Sequence, residues 1–239
     1  MSSSTWTPRA VASEAFRWDG TVWRFVESQH VASTMKIVDD VDEQAALEAL
    51  LEGSKPLVPH EAAHLDHLLA TPFRYWPRPG GSRFRAVTDP GVFYGAEDVR
   101  TAAAEVGHWR WRFLQDAVSL ARIGPVPHTA FSAEVGTRVV DLRSPPFSRQ
   151  AARWEDPVDY RDTQAVAAAA REARLGAIQY RSVRAEQPAW CMAVLEPQAF
   201  TRPAPSPVQQ TWYLAVSPEQ VTWRSTAGES FMQPMTRWL

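Results

Sequence analysis

Three short segments, far apart in the chain, carry residue types that suit the binding of an anionic, ribose-containing ligand. The segments are residues 81–85, 92–105 and 179–184. They supply the guanidinium of Arg83, the phenol of Tyr94, the carboxylate of Glu105 and the hydroxyl of Ser182. Taken singly, Arg83 also suits a surface strand, Glu105 an exposed helix and Ser182 a turn. Taken together, they are our candidate site, with the guanidinium available for phosphate oxygens.

Composition sets limits on that ligand and on other partners. The chain has 239 residues, enough for one large domain or two small ones. Apolar residues make up 45% and charged residues 22%, as in an ordinary soluble globular protein. The formal net charge is −2, which gives no overall electrostatic reason to expect nucleic-acid binding. Any anion site must therefore be a local feature.

The ends of the chain and its cysteine content indicate the compartment. Residues 1–6 show no basic region leading into an apolar stretch, so no signal peptide is apparent. No apolar run is long enough to cross a membrane, and we expect no membrane partner. The single Cys191 excludes an intrachain disulfide, and we expect it to pack in a strand rather than act as a nucleophile. We expect a cytoplasmic protein.

Strands and helices are predicted to interleave without regular βαβ spacing. Helices are expected at 42–51, 59–69, 97–116 and 160–174, with a loop at 71–81. Strands are expected at 21–26, 82–86, 91–94, 129–135, 138–142, 177–180, 190–195, 211–216 and 220–224. This order favours an α+β fold with a curved, mainly antiparallel sheet and flanking helices.

The helix at 97–116 contains a motif that alternates tryptophan and arginine, Trp109 to Arg112. Such alternation occurs on nucleic-acid-binding surfaces. Trp109 and Phe113 also continue an apolar series at helical spacing that begins with Val99. We therefore expect both to lie on the buried face of the helix, and we expect no direct nucleic-acid binding.

A zinc-protease pattern lies upstream, where His60 and His64 enclose Glu61. A spacing of four places two imidazoles on one side of a helix, as a zinc site requires, and His67 adds a third. Pro59, however, would place the pattern in the first helical turn, and no helical carboxylate ligand follows at the usual distance. We favour a solvated helix face and expect no metal; a zinc metallohydrolase using His60 and His64 is the alternative.

The candidate segments and their flanks together resemble the RES family, whose name comes from an arginine, a glutamate and a serine. The matching stretches are 69–75 with 81–85, Trp23-Arg24 with Gln29-His30 and Ser33-Thr34, the helix with Glu105, and 168–173 leading to 180–184. The resemblance is to long-form members and covers about residues 21–200. Two positions depart from it: Trp190-Cys191 stands where many relatives have asparagine, and Arg85 where short forms often do.

The resemblance implies a fold related to ADP-ribosyltransferases and a reaction in which NAD is the substrate. Family members degrade NAD, in some cases by phosphorolysis to nicotinamide and a phosphorylated ADP-ribose. Others are similar to toxins that ADP-ribosylate proteins, which is the first alternative. Many are toxins of toxin–antitoxin modules, held inactive by an Xre-type helix-turn-helix antitoxin. A catalytically inactive binding protein and a homodimer also stay open.

The resemblance also assigns expected roles to the candidate residues. Glu105 would stabilise the positive charge that develops on the ribose, and Arg83 would anchor the pyrophosphate. Tyr94 would stack on nicotinamide or hold a ribose hydroxyl. Ser182 would bond the nicotinamide amide or a ribose hydroxyl. Arg24 is a second, weaker candidate for phosphate binding.

The expected domain organisation follows the same resemblance. Residues 1–20 are predicted to be poorly ordered, and 21–200 to form the RES-like catalytic domain with a helical N-terminal extension at about 40–70. Residues 201–239 are predicted to form a Pro-rich connector and a C-terminal β-hairpin packed on the same domain.

Overall fold

One mostly antiparallel sheet of eight strands organises the molecule. The computed structural model describes residues 6–28, 43, 50, 53–76 and 79–235. Within these ranges the strands are β1 (Phe16–Glu27), β2 (Phe93–Ala96), β3 (Ile123–Asp141), β4 (Ala177–Arg181), β5 (Trp190–Val194), β6 (Gln210–Val216), β7 (Gln220–Ser225) and β8 (Ser230–Pro234). The helices are α1 (Pro8–Ser13), α2 (His67–Arg74), α3 (Val99–Asp116), α4 (Ala151–Trp154) and α5 (Arg161–Glu172). The predicted α+β class with a mainly antiparallel sheet is confirmed.

Strand pairing closes part of this sheet into a ring. Along one edge, β3 pairs with β1 from His128 to Val139. The other edge of β3 pairs with two strands. Residues 123–130 of β3 pair with β6, and residues 139–141 pair with β4 in parallel. Strands β5 and β2 then lead from β4 back to β1. The long β3 therefore belongs both to a five-strand ring and to the β6–β7–β8 extension.

The two faces of the sheet are covered by different helices. Helix α3 packs on one face, over a core that includes the fully buried Trp212 and Trp223. A Cβ atom at Gly107 would lie 3.0 Å from Val221 Cγ1, so the glycine permits close approach of α3 to β7. Helix α2 packs on the other face through Leu69 and its neighbours. No helix in the described ranges is long and apolar enough to cross a membrane.

Helix α3 begins where the sequence predicts, but it buries a different face. Its N-cap is Asp98, whose carboxylate accepts a hydrogen bond from the backbone N–H of Thr101 at 2.7 Å. Trp111 is only 4% exposed and donates its indole N–H to a carbonyl of the β6–β7 turn. Trp109 is 50% exposed and Phe113 is 54% exposed, so the prediction that both are buried is wrong. Contact with the ring and with β7 together sets this rotation, and periodicity alone does not reveal it.

Residues 6–20 are folded, whereas the sequence analysis expected residues 1–20 to be poorly ordered. Helix α1 is capped by the Thr7 side chain, and Val11 is fully buried. The Trp6 ring stacks on Phe147 at 4.1 Å. Strand β1 begins at Phe16, five residues before the predicted strand. A six-residue helix has too little periodicity to be recognised in sequence, and its burial depends on distant residues.

The segment between residues 59 and 86 was also predicted incorrectly. Pro59 precedes only a short 3₁₀ turn, His60–Ala62. Asp66 then caps α2, which continues through Pro72 into the predicted loop. The predicted strand at 82–86 is a tight turn closed by a Ser82–Arg85 bridge. For α2, burial of Leu69, Ala70 and Phe73 against the sheet outweighs the proline signal at residue 72.

The remaining differences concern strand lengths. The two strands predicted between 129 and 142 are one strand, because pairing with β1 runs unbroken past Gly136. Strand β8 was not predicted. Helix α5, strands β4 and β5 and the β6–β7 hairpin agree with prediction to within two residues. The predicted helix at 42–51, Gln29-His30 and Ser33-Thr34 lie largely or wholly outside the described residues.

Candidate active site

A cavity of about 260 Å³ opens between α3 and the strand ring. Of the described residues that line it, three carry a guanidinium and one a carboxylate: Arg24, Arg83, Arg184 and Glu105. Tyr94 also lines it. The cavity is therefore a local cationic site in a chain whose net charge is −2. Ser182 is not in the lining but lies directly behind Glu105.

The Glu105 carboxylate is held by two donors on a single oxygen. The Ser182 hydroxyl donates to Oε1 at 2.6 Å, and the Cys191 thiol approaches the same atom at 3.7 Å. A hydroxyl–carboxylate bond of this length is strong, whereas a thiol is a weak donor. Ser182 therefore fixes the orientation of Glu105, and Cys191 adds a minor contact.

The Ser182 hydroxyl is itself oriented by the backbone. It accepts the N–H groups of Arg184 at 3.2 Å and Ala185 at 3.1 Å, which close a turn just after β4. With its lone pairs used in this way, the hydroxyl hydrogen is directed toward Glu105. The turn, the serine and the carboxylate form one chain of hydrogen bonds.

Arg83 lies at the tip of the 81–85 turn and is anchored from one side. Its Nη1 donates to the carbonyls of Trp154 at 2.8 Å and Asp156 at 2.9 Å, and its guanidinium lies 4.8 Å from the centre of the Tyr160 ring. Neither Nε nor Nη2 bonds to any residue in the described ranges. The edge that pairs bidentately with a phosphate is thus available.

Tyr94 stabilises the 81–85 turn through hydrogen bonds of its hydroxyl group. Its hydroxyl accepts the N–H of Phe84 at 3.0 Å and shares a hydrogen with the Ser82 hydroxyl at 2.8 Å. Gln164 secures the same turn from α5, because its Nε2 lies within hydrogen-bond distance of the carbonyls of Gly80, Ser82 and Arg85. The Tyr94 hydroxyl is therefore occupied within the protein, and the residue positions the Arg83 turn while it lines the cavity.

Arg24 lines the cavity from β1 on the ring side. Its Nη1 donates to the Tyr94 carbonyl at 2.8 Å, and the guanidinium lies 4.9 Å from the centre of the Phe93 ring. The buried Nε has no hydrogen-bond partner among the described residues. Burial lowers the pKa of Arg24 to about 10, so the group stays cationic at pH 7. A buried, partly unpaired cation of this kind indicates an anion site.

Sequence reasoning missed a third guanidinium, that of Arg184. Its side chain is 7% exposed and donates to the Pro157 carbonyl at 2.7 Å. Burial lowers its pKa and the nearby Glu105 opposes that shift. Arg184 belongs to the candidate segment 179–184, but only the turn at Ser182 brings its side chain to the cavity.

Three further groups of the lining, Tyr94, Tyr180 and Cys191, are neutral near pH 7. Burial raises the pKa of Tyr94 and raises that of Tyr180 further. Burial, followed by the Glu105 charge, raises the pKa of the Cys191 thiol well above its usual value. Cys191 therefore packs in β5, as the sequence predicted, and its thiol is protonated.

The zinc-protease pattern is not built like a zinc site. His60 begins a three-residue 3₁₀ helix, and His64 lies in the turn after it, so the two are not on one face of an α-helix. Both are exposed, and the His67 side chain is 80% exposed beside Asp66. Across the described ranges, no group of three His, Cys, Asp or Glu side chains is arranged to hold a metal ion.

Comparisons with known proteins place the site residues within one family model. That model, described as the RES domain, matches residues 58–217, which include Arg83, Tyr94, Glu105 and Ser182 but not Arg24. The chain is similar to a solved structure from M. tuberculosis, the MbcT–MbcA toxin–antitoxin complex, at 14% identity and a TM-score of 0.48. That alignment covers 88% of this chain and 92% of the other. No curated protein matches the chain significantly.

Proposed function

The chain belongs to the RES family, and on that premise we propose that it is a toxin-like enzyme that cleaves the nicotinamide–ribose bond of NAD. Phosphate is the proposed acceptor, which would give nicotinamide and a phosphorylated ADP-ribose. The observation that carries the proposal is the Glu105 carboxylate, fixed by Ser182 in a cavity with three arginines.

The proposed reaction requires one fixed negative charge at the breaking bond. As nicotinamide leaves with the bonding electron pair, its cationic ring nitrogen becomes neutral and positive charge develops on the ribose carbon. Glu105 would stabilise that charge, and its oriented carboxylate needs no reorganisation during the reaction. A phosphate oxygen then forms the new bond to the same carbon. Ser182 acts through Glu105 as a positioning residue.

The arginines would bind the anionic parts of the reactants. The open Nε–Nη2 edge of Arg83 suits a phosphate of the NAD pyrophosphate. Arg24 and Arg184 supply positive charge on other walls of the cavity. Tyr94 would contribute by holding the turn that carries Arg83.

Incubation of the purified protein with NAD, with and without phosphate, tests the activity. We expect nicotinamide release that depends on phosphate, with equal consumption of phosphate. Release without phosphate would favour hydrolysis or protein ADP-ribosylation instead. No release under any condition would overturn the proposed activity and favour a binding protein with this fold.

The same proposal includes a partner and a site of action. If the chain acts as the family resemblance implies, its expression alone in the cytoplasm depletes NAD and arrests growth. An Xre-type antitoxin encoded beside it would restore growth. Cells that keep normal NAD and growth while producing the folded protein would contradict the toxin role.

A further inference from the structure

Of the tryptophan–arginine motif at 109–112, Trp109 is the residue that lines the cavity. It is the most exposed of the described residues that line the cavity, and it therefore marks the cavity mouth. Trp111 is buried, and Arg110 forms an ion pair with Glu27. The indole of Trp109 is left as a broad aromatic surface, half in solvent, at the edge of a cationic pocket.

Trp109 lies beside a buried residue of α3 and on the same helix face as Glu105. Its ring makes a T-shaped contact with the buried His108, with centroids 5.5 Å apart. Burial and the nearby arginines lower the pKa of His108 to about 3, so this contact is with a neutral imidazole. Trp109 follows Glu105 by four residues on α3, which places the two Cβ atoms about 5–6 Å apart on one helix face. A ligand held at Glu105 thus passes close to Trp109 on its way out of the cavity.

Cavity size determines which part of the ligand reaches the mouth. The volume of about 260 Å³ is below the roughly 300–1,000 Å³ of sites that enclose drug-sized ligands. A dinucleotide with its nicotinamide riboside at Glu105 must therefore leave its adenosine half outside. A purine base stacks on an aromatic face, and such stacking is worth on the order of 1–3 kcal/mol per base.

We propose that Trp109 is the stacking platform for the adenine of the dinucleotide and so determines the preference for NAD over the corresponding mononucleotide. The inference rests on the proposed function for the placement of the nicotinamide ribose. It concerns affinity and leaves the bond-breaking step to Glu105.

The test compares NAD with nicotinamide mononucleotide, which has the same scissile bond but lacks the adenosine half. Affinities are measured by titration calorimetry in a Glu105→Gln background, so that neither ligand is consumed. We expect Trp109→Ala to weaken NAD binding about 10-fold and Trp109→Phe to restore most of the loss. Binding of the mononucleotide should be unchanged in both variants.

Phe113→Ala is the matched control, since Phe113 is 54% exposed one turn further along α3 and does not line the cavity. It should leave both affinities unchanged. Equal NAD affinity with and without the Trp109 indole, or an equal loss for both ligands, would overturn the adenine assignment. If the wild type binds NAD through Trp109 but releases no nicotinamide, the enzymatic proposal fails while this one stands. If NAD does not bind, both fail.

Discussion

Two parts of the chain are rich in ionisable side chains, the cavity around Glu105 and the segment from His60 to His67, and they differ in how those side chains are held. In the cavity, Glu105 is fixed by Ser182, and Arg83 is fixed by two carbonyls. In the histidine segment, the imidazoles of His60, His64 and His67 are exposed around a short turn. By residue spacing alone, the histidine segment matches a catalytic motif more closely than the cavity residues do. Fixed geometry makes a carboxylate or guanidinium effective, and of these two parts of the chain the cavity is the one that provides it.

The largest effect that would test this contrast is expected from Glu105→Gln. The substitution keeps the shape of the side chain but removes the charge that opposes the developing cation. We expect the rate of NAD cleavage to fall roughly 100-fold, about 3 kcal/mol, with normal folding. Nicotinamide release by the folded variant measures this. An undiminished rate would remove Glu105 from the reaction.

The buried His108 is expected to make the free energy of unfolding depend on pH. The pKa of His108 falls from its usual 6.5 to about 3 on folding, chiefly through burial. The unfolded chain therefore takes up a proton below pH 6.5 that the folded chain refuses, and stability is lost as the pH falls. Between pH 7 and pH 5 this contributes about 2 kcal/mol.

Urea unfolding of the wild type and of His108→Gln at both pH values measures that contribution. Comparison of each protein with itself cancels the constant cost of the substitution. The loss on acidification should be about 2 kcal/mol smaller in the variant. The same loss in both proteins would show that His108 is not the group responsible.

Substitution of Arg83 tests whether its guanidinium, which has one open edge, binds the phosphates of NAD. Arg83→Ala should weaken NAD binding about 10-fold or more, and Arg83→Lys should recover only part of it, since lysine retains the charge without the fork. Calorimetry with NAD in the Glu105→Gln background gives the affinities. If all three proteins bind equally, the phosphates are bound elsewhere, with Arg24 and Arg184 as the next candidates.

Ser182 and Cys191 allow two donors on the same Glu105 oxygen to be compared. Ser182→Ala removes the 2.6 Å bond and should lower the cleavage rate about 10-fold. Cys191→Ala removes a 3.7 Å contact and should change the rate by no more than about 2-fold. Steady-state rates of the two variants make the comparison. A larger effect at Cys191 would mean that the thiol, not the hydroxyl, positions the carboxylate.

The smallest effect is expected from the histidine segment. Joint substitution of His60 and His64 by alanine should leave NAD turnover unchanged, because both side chains are exposed and do not line the cavity. Elemental analysis of purified protein should find no stoichiometric zinc. One zinc per chain, or activity abolished by a chelator, would favour the metallohydrolase alternative.

The sequence by itself determined the features that rest on local physical chemistry. Helix α3 is predictable because Asp98 caps it, and the β6–β7 hairpin because two alternating runs flank a short turn. Arg83, Glu105 and Ser182 could be nominated because each follows from a residue type and from flanks that resemble one family. Those features need no knowledge of distant contacts.

Tertiary structure decided which side chains meet. The closure of the ring through β1 and β3 joins residues more than 100 positions apart, and no local pattern encodes it. Contact with the ring and with β7 together rotates α3 so that Trp111 is buried and Trp109 is left at the cavity mouth. The turn at Ser182 brings Arg184 to the site, and the 81–85 turn occupies the Tyr94 hydroxyl. The physical reason is that burial is a sum over contacts from several elements, so the face a helix hides and the neighbours a side chain finds are fixed only when those elements pack.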